Sequence, residues 1–289
     1  MKSKVYFTTK ITPEAVIRLY ELLGINLPGK VAVKVHSGEV GNQNFIRPAF
    51  WKPMIDHVKG TIVECNTAYE GQRNSTEKHW ETMKLHGWTE VCDVDIMDEE
   101  GELELPVNGG KHLSVNYVGD HLKNYDSVLV LSHFKGHPMG GFGGALKNLS
   151  IGIASSHGKA HIHGAGEPEK IWTADHDSFL ESMADADKAV MDYLDGKIAF
   201  LNVMCNMSVD CDCCAVAEDP KMADIGILAS LDPVALDQAC IDLVYSSDDP
   251  GKGDLIERIE SRNGIHTIEA AAELKIGSRE YELIPVDEA

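Results

Sequence analysis

Residues 127–134, SVLVLSHF, are a continuous apolar run that ends in a serine–histidine pair and opens onto a glycine-rich stretch. A short, unbroken run of this kind reads as a strand buried on both faces, and only a sheet covered by helices on both sides buries a strand that way. The rest of the chain keeps to that plan. KVYFT (4–8), VAVKVH (31–36), TIVEC (61–65), IAFLNVM (198–204), DIGILAS (224–230) and YELIPV (281–286) read as further strands. Helical stretches lie between them. One is capped by Thr12 with Pro13 in its first turn and runs to about Leu23, and one opens at Pro48 and ends near Val58. A capping-box-like start at Asn74 and Glu77 leads a helix to about Gly87. Others run through ALKNL, over 176–194, from Asp232 and Pro233 through Val244, and near 254–262 and 266–274. The stretch 91–118 carries short strands around an acidic turn. Alternating strands and helices imply an α/β fold, a mostly parallel sheet flanked by helices. The expected domain spans 1–289, and any division into two α/β lobes falls near residue 120, giving 1–120 and 121–289.

The formal net charge of −20 makes the surface repel phosphate backbones, so no nucleic-acid partner is expected. The opening MKSKVYFTTK has no apolar signal core, and no apolar run is long enough to span a bilayer. The expectation is a cytoplasmic protein with no membrane partner, in a compartment that keeps thiols reduced. An acidic surface also suits docking of a basic redox carrier protein.

Four of the seven cysteines, Cys205, Cys211, Cys213 and Cys214, fall within ten residues in the run CNMSVDCDCC. Thiols that close together can converge on one soft metal ion or an iron–sulfur cluster. In an extended segment Cys211 and Cys213 would face one ion, with Asp212 and Cys214 turned away and Cys205 reaching in from the preceding strand. Asp210 and Asp212 disfavour free thiolates, and a bound cation reverses that. The cofactor expected is therefore an iron–sulfur cluster or a single transition metal (zinc, iron or nickel), and the spacing fits no common zinc-ribbon or ferredoxin pattern. Cys65, Cys92 and Cys240 stand apart and read as buried small residues. In HGKAHIH, His161 and His163 share a face of a strand, whereas His157 and His161 share a face of a helix. Gly158 and Gly164 argue against a long helix. His161 and His163 can complete a mixed Cys/His site or form a polar surface loop.

SHFKGHPMGGFGGALKN (132–148) lies at the carboxyl end of the central strand, where open α/β sheets gather their ligands. Gly140, Gly141, Gly143 and Gly144 allow close backbone approach, and the helix that follows presents its N-terminus to an anion. Lys135 and Lys147 add positive charge, and His133 and His137 add acid–base capacity. The spacings are neither those of a Walker A loop nor of a dinucleotide fingerprint. The expectation is a small anionic substrate or cofactor held by the glycines and Lys147, with His133, Lys135 and His137 as catalytic groups. Lys34 and His36 of VKVHSGE, and Arg73 of TAYEGQRN, sit after other strands and can line the same crevice.

Taken together, VKVHSGE (33–39), TAYEGQRN (67–74), SHFKGHPMGGFGGALKNLSIG (132–152), DCDC (210–213) and DIGILASLDPVALDQAC (224–240) resemble the family of proteins sharing a domain of unknown function numbered 362. The resemblance spans nearly the whole chain, in order. It implies an α/β fold and a recurrent Cys-x-Cys pair, here Cys211 and Cys213. Many relatives insert a ferredoxin-like module with CxxCxxC runs after the lysine–asparagine segment, whereas residues 153–200 of this chain contain no cysteine. The function expected is a metal-binding redox enzyme. The alternatives are a non-redox metal enzyme (a hydrolase, racemase or isomerase) and a non-catalytic metal or electron-carrier module.

Overall fold

A computed structural model describes residues 2–287. In chain order the elements are β1 (Ser3–Thr8), α1 (Pro13–Leu22), β2 (Val31–Lys34), α2 (Pro48–Val58), β3 (Thr61–Glu64), α3 (Thr76–Leu85), α4 (Trp88–Val91), β4 (Val94–Ile96), β5 (Glu102–Pro106), β6 (Val115–Gly119), β7 (Ser127–His133), β8 (Lys135–His137) and β9 (Gly141–Gly143). They continue with α5 (Ala145–Ile153), α6 (Ser156–His163), α7 (His176–Leu194), β10 (Ile198–Met204), β11 (Gly226–Ser230), α8 (Pro233–Ser246), α9 (Lys252–Ser261), α10 (Ile265–Glu273) and β12 (Tyr281–Pro285).

Eight strands make one sheet in the order β12-β1-β11-β10-β7-β2-β3-β4. The two hairpins β5–β6 and β8–β9 stand outside it. Neighbouring strands are parallel except around β11, which runs antiparallel to both β10 and β1. The reversal has a local cause. A parallel return needs a crossover helix, and the segment joining β10 to β11 contains none. Because β11 starts at the edge where β10 ends, the cysteine-bearing connection stays at the carboxyl edge of the parallel strands. β7 lies between β2 and β10, so the segments before and after residue 120 share this one sheet.

Strand alternation divides the core in two. Val128 and Val130 of β7 pack with Leu146 and Leu149 of α5, Leu180 and Val190 of α7 and Leu236 of α8. Leu129 and Leu131 face the opposite layer, against Leu19 of α1, Trp51 and Met54 of α2 and Trp88 of α4. These side chains are fully or almost fully buried, each contributing about 1.5–3 kcal/mol relative to exposure.

Two local expectations change. HGKAHIH is helical: Ser155 caps α6 by accepting from the Gly158 amide, so His157 and His161 share a side. Gly158 serves that helix, since a Cβ there would lie 1.9 Å from the Tyr117 carbonyl of β6. Ser75, with no side-chain cap bond, precedes α3, while the Asn74 amide turns back to Glu70 at 3.0 Å.

Candidate functional site

The chains leaving β2, β3, β7 and β10 meet at one sheet edge around a cavity of about 300 Å³. Its walls include Lys34, His36, Tyr69, Arg73, His133, Lys135, His137, Lys147, Cys211, Cys213 and Cys214. Residues far apart in sequence are thus brought to one place by parallel strands that all end on the same side.

His36, Cys211 and Cys213 offer ligand atoms that lie within 4.8 Å of one another. Cys211–Cys214 is a tight turn, closed by the Cys214 amide donating to the Cys211 carbonyl at 2.9 Å, rather than the extended segment expected. The Cys213 amide also donates to Cys211 Sγ at 3.4 Å. Asp212 points away from the thiols, fully buried. It meets His133 Nδ1 at 2.9 Å and Lys135 Nζ at 3.0 Å. Burial alone would raise its carboxyl, but His133 and Lys135 outweigh that and hold it well below the usual range. Asp210 is taken by Arg258 at 3.1 Å. Both acids flanking the thiols are therefore neutralised by cations, and neither opposes thiolate formation as an isolated charge would.

Two imidazoles flank the sulfurs. His137 Nε2 is 3.9 Å from Cys213 Sγ, and its Nδ1 accepts from the Met139 and Gly140 amides at 3.1 and 2.8 Å. Burial and then Lys147 lower His137 to about 3, so it is neutral, and the two amides at Nδ1 leave its proton on Nε2, facing the sulfur as a donor. His36 Nε2 is 3.9 Å from Cys211 Sγ, and its Nδ1 accepts from the Gly38 amide at 3.1 Å. Coordination through His36 Nε2 needs the other tautomer, and so requires the Gly38 amide to turn away. Cys213 feels opposing effects: a hydrogen bond with Cys211 pulls it down, while its bond to Cys214 and its burial prevail and raise it. Tyr69 is pushed far above its usual range by burial and then by Cys213, so its phenol stays a donor.

Cations surround the rest of the cavity. Lys34 is buried against Glu64 at 2.7 Å, and Glu64 also accepts from the Ser37 amide. Arg73 is paired through Nε with Glu39 at 3.3 Å, leaving Nη2 buried without a partner. Both ring nitrogens of His133 face acceptors, Asp212 and the Cys205 carbonyl at 2.6 Å. His133 is thus committed to bracing the cysteine loop, and Lys135 shares that task.

The glycine loop is used differently from expectation. Gly143 and Gly144 line the cavity, whereas Gly141 (φ 78°) packs against Gly264, to which an added Cβ would lie 2.8 Å. The amides opening α5 do not await an anion: Asp237 of α8 accepts from Ala145 and Leu146 at 2.8 and 2.9 Å. Gly144 permits this, since a Cβ there would stand 2.4 Å from the Asp237 carboxylate. Cys205 is outside the group of His36, Cys211 and Cys213. It packs into the core layer of α1 and α2, and burial raises its thiol to about 12. Cys214 lines the cavity beside Cys213. His161 sits edge-on to Tyr117 at 5.1 Å, away from the sulfurs. His163 stacks on Phe179 at 4.6 Å and lines the cavity with Nδ1 unpartnered. The residue that sequence reasoning passed over is Lys159, buried in the cavity wall one turn before His163. It stood within HGKAHIH, but nothing in a sequence marks a lysine as buried.

These features define an α/β protein with a Cys/His group able to hold a metal ion, set in a basic cavity at the carboxyl edge of its parallel strands. The chain belongs to the family described as Domain of unknown function (DUF362), whose model matches residues 31–242. No curated protein matches it. Among solved structures, a crystal structure of a Thermotoga maritima protein is similar at 12% identity and a TM-score of 0.46, over 90% of this chain and 58% of that one. The chain thus spans little more than half the length of that protein. The lactate racemase apoprotein from Thermoanaerobacterium thermosaccharolyticum is similar at 13% identity and a TM-score of 0.43, over 98% of this chain and 83% of that one. No helix among the described residues is long and apolar enough to cross a membrane.

Proposed function

We propose that the protein is a metal-dependent redox enzyme acting on a small anionic substrate, with Cys211, Cys213 and His36 holding one transition-metal ion. The observation that carries this reading is the convergence of those three donors, within 4.8 Å, on the wall of a cavity that also presents Arg73 and Lys147. Two thiols and one imidazole suit a single soft ion with an open fourth position, and thiolate donors favour iron or zinc over hard cations. A four-sulfur cluster fits less well, because the Cys205 thiol lies in a separate core layer.

A bound ion would supply Lewis acidity and, if iron, a one-electron couple. The chain's own groups do the remaining work. The Arg73 Nη2 atom and the Lys147 ammonium bind the substrate's negative charge. His137 Nε2–H and the Tyr69 hydroxyl donate toward Cys213 and tune its sulfur. Asp212, braced by His133 and Lys135, fixes the turn that aims both thiols into the cavity. Anaerobic purification with elemental and sulfide analysis tests the proposal. One iron per chain, little acid-labile sulfide, and loss of the metal in Cys211→Ser and Cys213→Ser are expected, whereas zinc alone, which has no redox couple, would keep the metal site and overturn the redox reading. Folded native protein that takes up no metal overturns it.

A further inference from the structure

The charges lining the cavity do not balance. Five basic side chains line it: Lys34, Arg73, Lys135, Lys147 and Lys159. Three carboxylates answer three of them, Glu64 with Lys34, Glu39 with Arg73 and Asp212 with Lys135. Among the described residues Lys147 has no ion-pair or hydrogen-bond partner. Among the described residues Lys159 donates only to the carbonyls of Ala154 and Cys65, at 2.6 and 3.4 Å. Two divalent-ion ligands that are thiolates give a neutral site, so a metal there answers neither lysine. Two further polar atoms are left open: Arg73 Nη2 and His163 Nδ1, both buried and unpartnered. His163 follows Lys159 by one turn of α6, so the helix presents an amine and an imidazole on one wall. Ammonium groups are rarely buried without a counter-charge, because desolvation is not repaid.

We propose that the cavity takes a dianion, a short-chain molecule with two oxyanion groups, received by the uncommitted Lys147 and Lys159 ammonium groups and the open Arg73 Nη2, with His163 on the same wall. The cavity wall also carries Met139, Ile151 and Ile171, which suit a short carbon skeleton. A dicarboxylate and a phosphorylated monocarboxylate share this chemistry. The inference rests on the anionic-substrate reading above but not on the metal.

Calorimetric titration of the Cys211→Ser/Cys213→Ser protein separates the two, since it lacks both thiol ligands and keeps every cation. The probes are succinate, phosphoglycolate and, as a monoanion of matched length, butyrate. Binding of succinate or phosphoglycolate at least tenfold tighter than butyrate is expected, weakening with salt, and whichever binds tighter identifies the second oxyanion. Lys159→Met should bring the dianion to the affinity of butyrate. Lys147→Met, at a half-buried position, gives the same reading should Lys159→Met fail to fold. Equal binding of monoanion and dianions, or an unchanged ratio in the lysine variants, overturns the proposal.

Discussion

Asp212 is the residue on which the site's geometry turns. An extended segment would turn both Asp212 and Cys214 away from the ion; the turn that forms keeps Asp212 turned away but brings Cys214 to the cavity, and the charge of Asp212, expected to burden the thiols, is met elsewhere. In the fold that charge is spent on His133 and Lys135, which thereby brace the cysteine turn. Asp212→Asn leaves the buried Lys135 ammonium and the His133 ring without their carboxylate, and breaking a buried ion pair from one side costs about 3–5 kcal/mol. Urea denaturation should show that loss, together with a lower metal content, and a change below about 1 kcal/mol would contradict the bracing role. The thiols themselves set a pH dependence. Cys213 is raised above its usual value and must lose its proton to bind a cation, so metal affinity should rise with pH and binding should release protons. Titration with Zn²⁺ in weakly buffered indicator dye measures this, and affinity independent of pH between 6 and 8 would contradict it.

At the scale of elements, most strands and helices were legible because their periodicity and caps are local. α7 (His176–Leu194) and β10 (Ile198–Met204) fall on the boundaries read from sequence, and Asp232 caps α8 as its position before Pro233 suggests. What was not legible depends on distant partners. The antiparallel course of β11 follows from the missing crossover helix after β10, and α6 forms through Gly158 because β6 crowds it. The N-terminus of α5 looked available to a ligand, yet Asp237, 92 residues from Ala145, occupies it. Asp237→Ala should therefore cost about 1–2 kcal/mol, the usual worth of a side-chain cap, and should loosen the loop bearing Gly143 and Gly144. Hydrogen exchange at the Ala145 and Leu146 amides reads the effect directly, and unchanged protection there would exclude the capping role.

Over the whole molecule, buried imidazoles govern the response to acid. His79, His137 and His163 are each lowered to about 3, chiefly by burial. The unfolded chain takes up protons at these positions below pH 6.5, whereas the folded chain does so only near 3, so the stability is present above 6.5 and lost as pH falls. Asp237, raised to about 6 by burial, acts in the opposite sense between its unfolded and folded values. Asp187, raised well above its usual value by burial, acts in that sense too, so three histidines less two carboxyls leave one proton, or about 1.4 kcal/mol per pH unit around pH 5. Urea midpoints at pH 5, 6 and 7 should fall toward acid, and a flat profile would show that these histidines are not buried neutral. The sequence alone revealed the sheet plan and the loops that meet at its edge. It placed Lys34, His36 and Arg73 in the crevice of the glycine loop, but not His36 within reach of the Cys211 and Cys213 sulfurs, because that depends on strand order. X-ray absorption of anaerobically purified protein tests that convergence most directly. One ion per chain with two sulfur ligands at about 2.3 Å and one imidazole nitrogen near 2.0 Å is the predicted result. A spectrum with no sulfur in the coordination shell would contradict it.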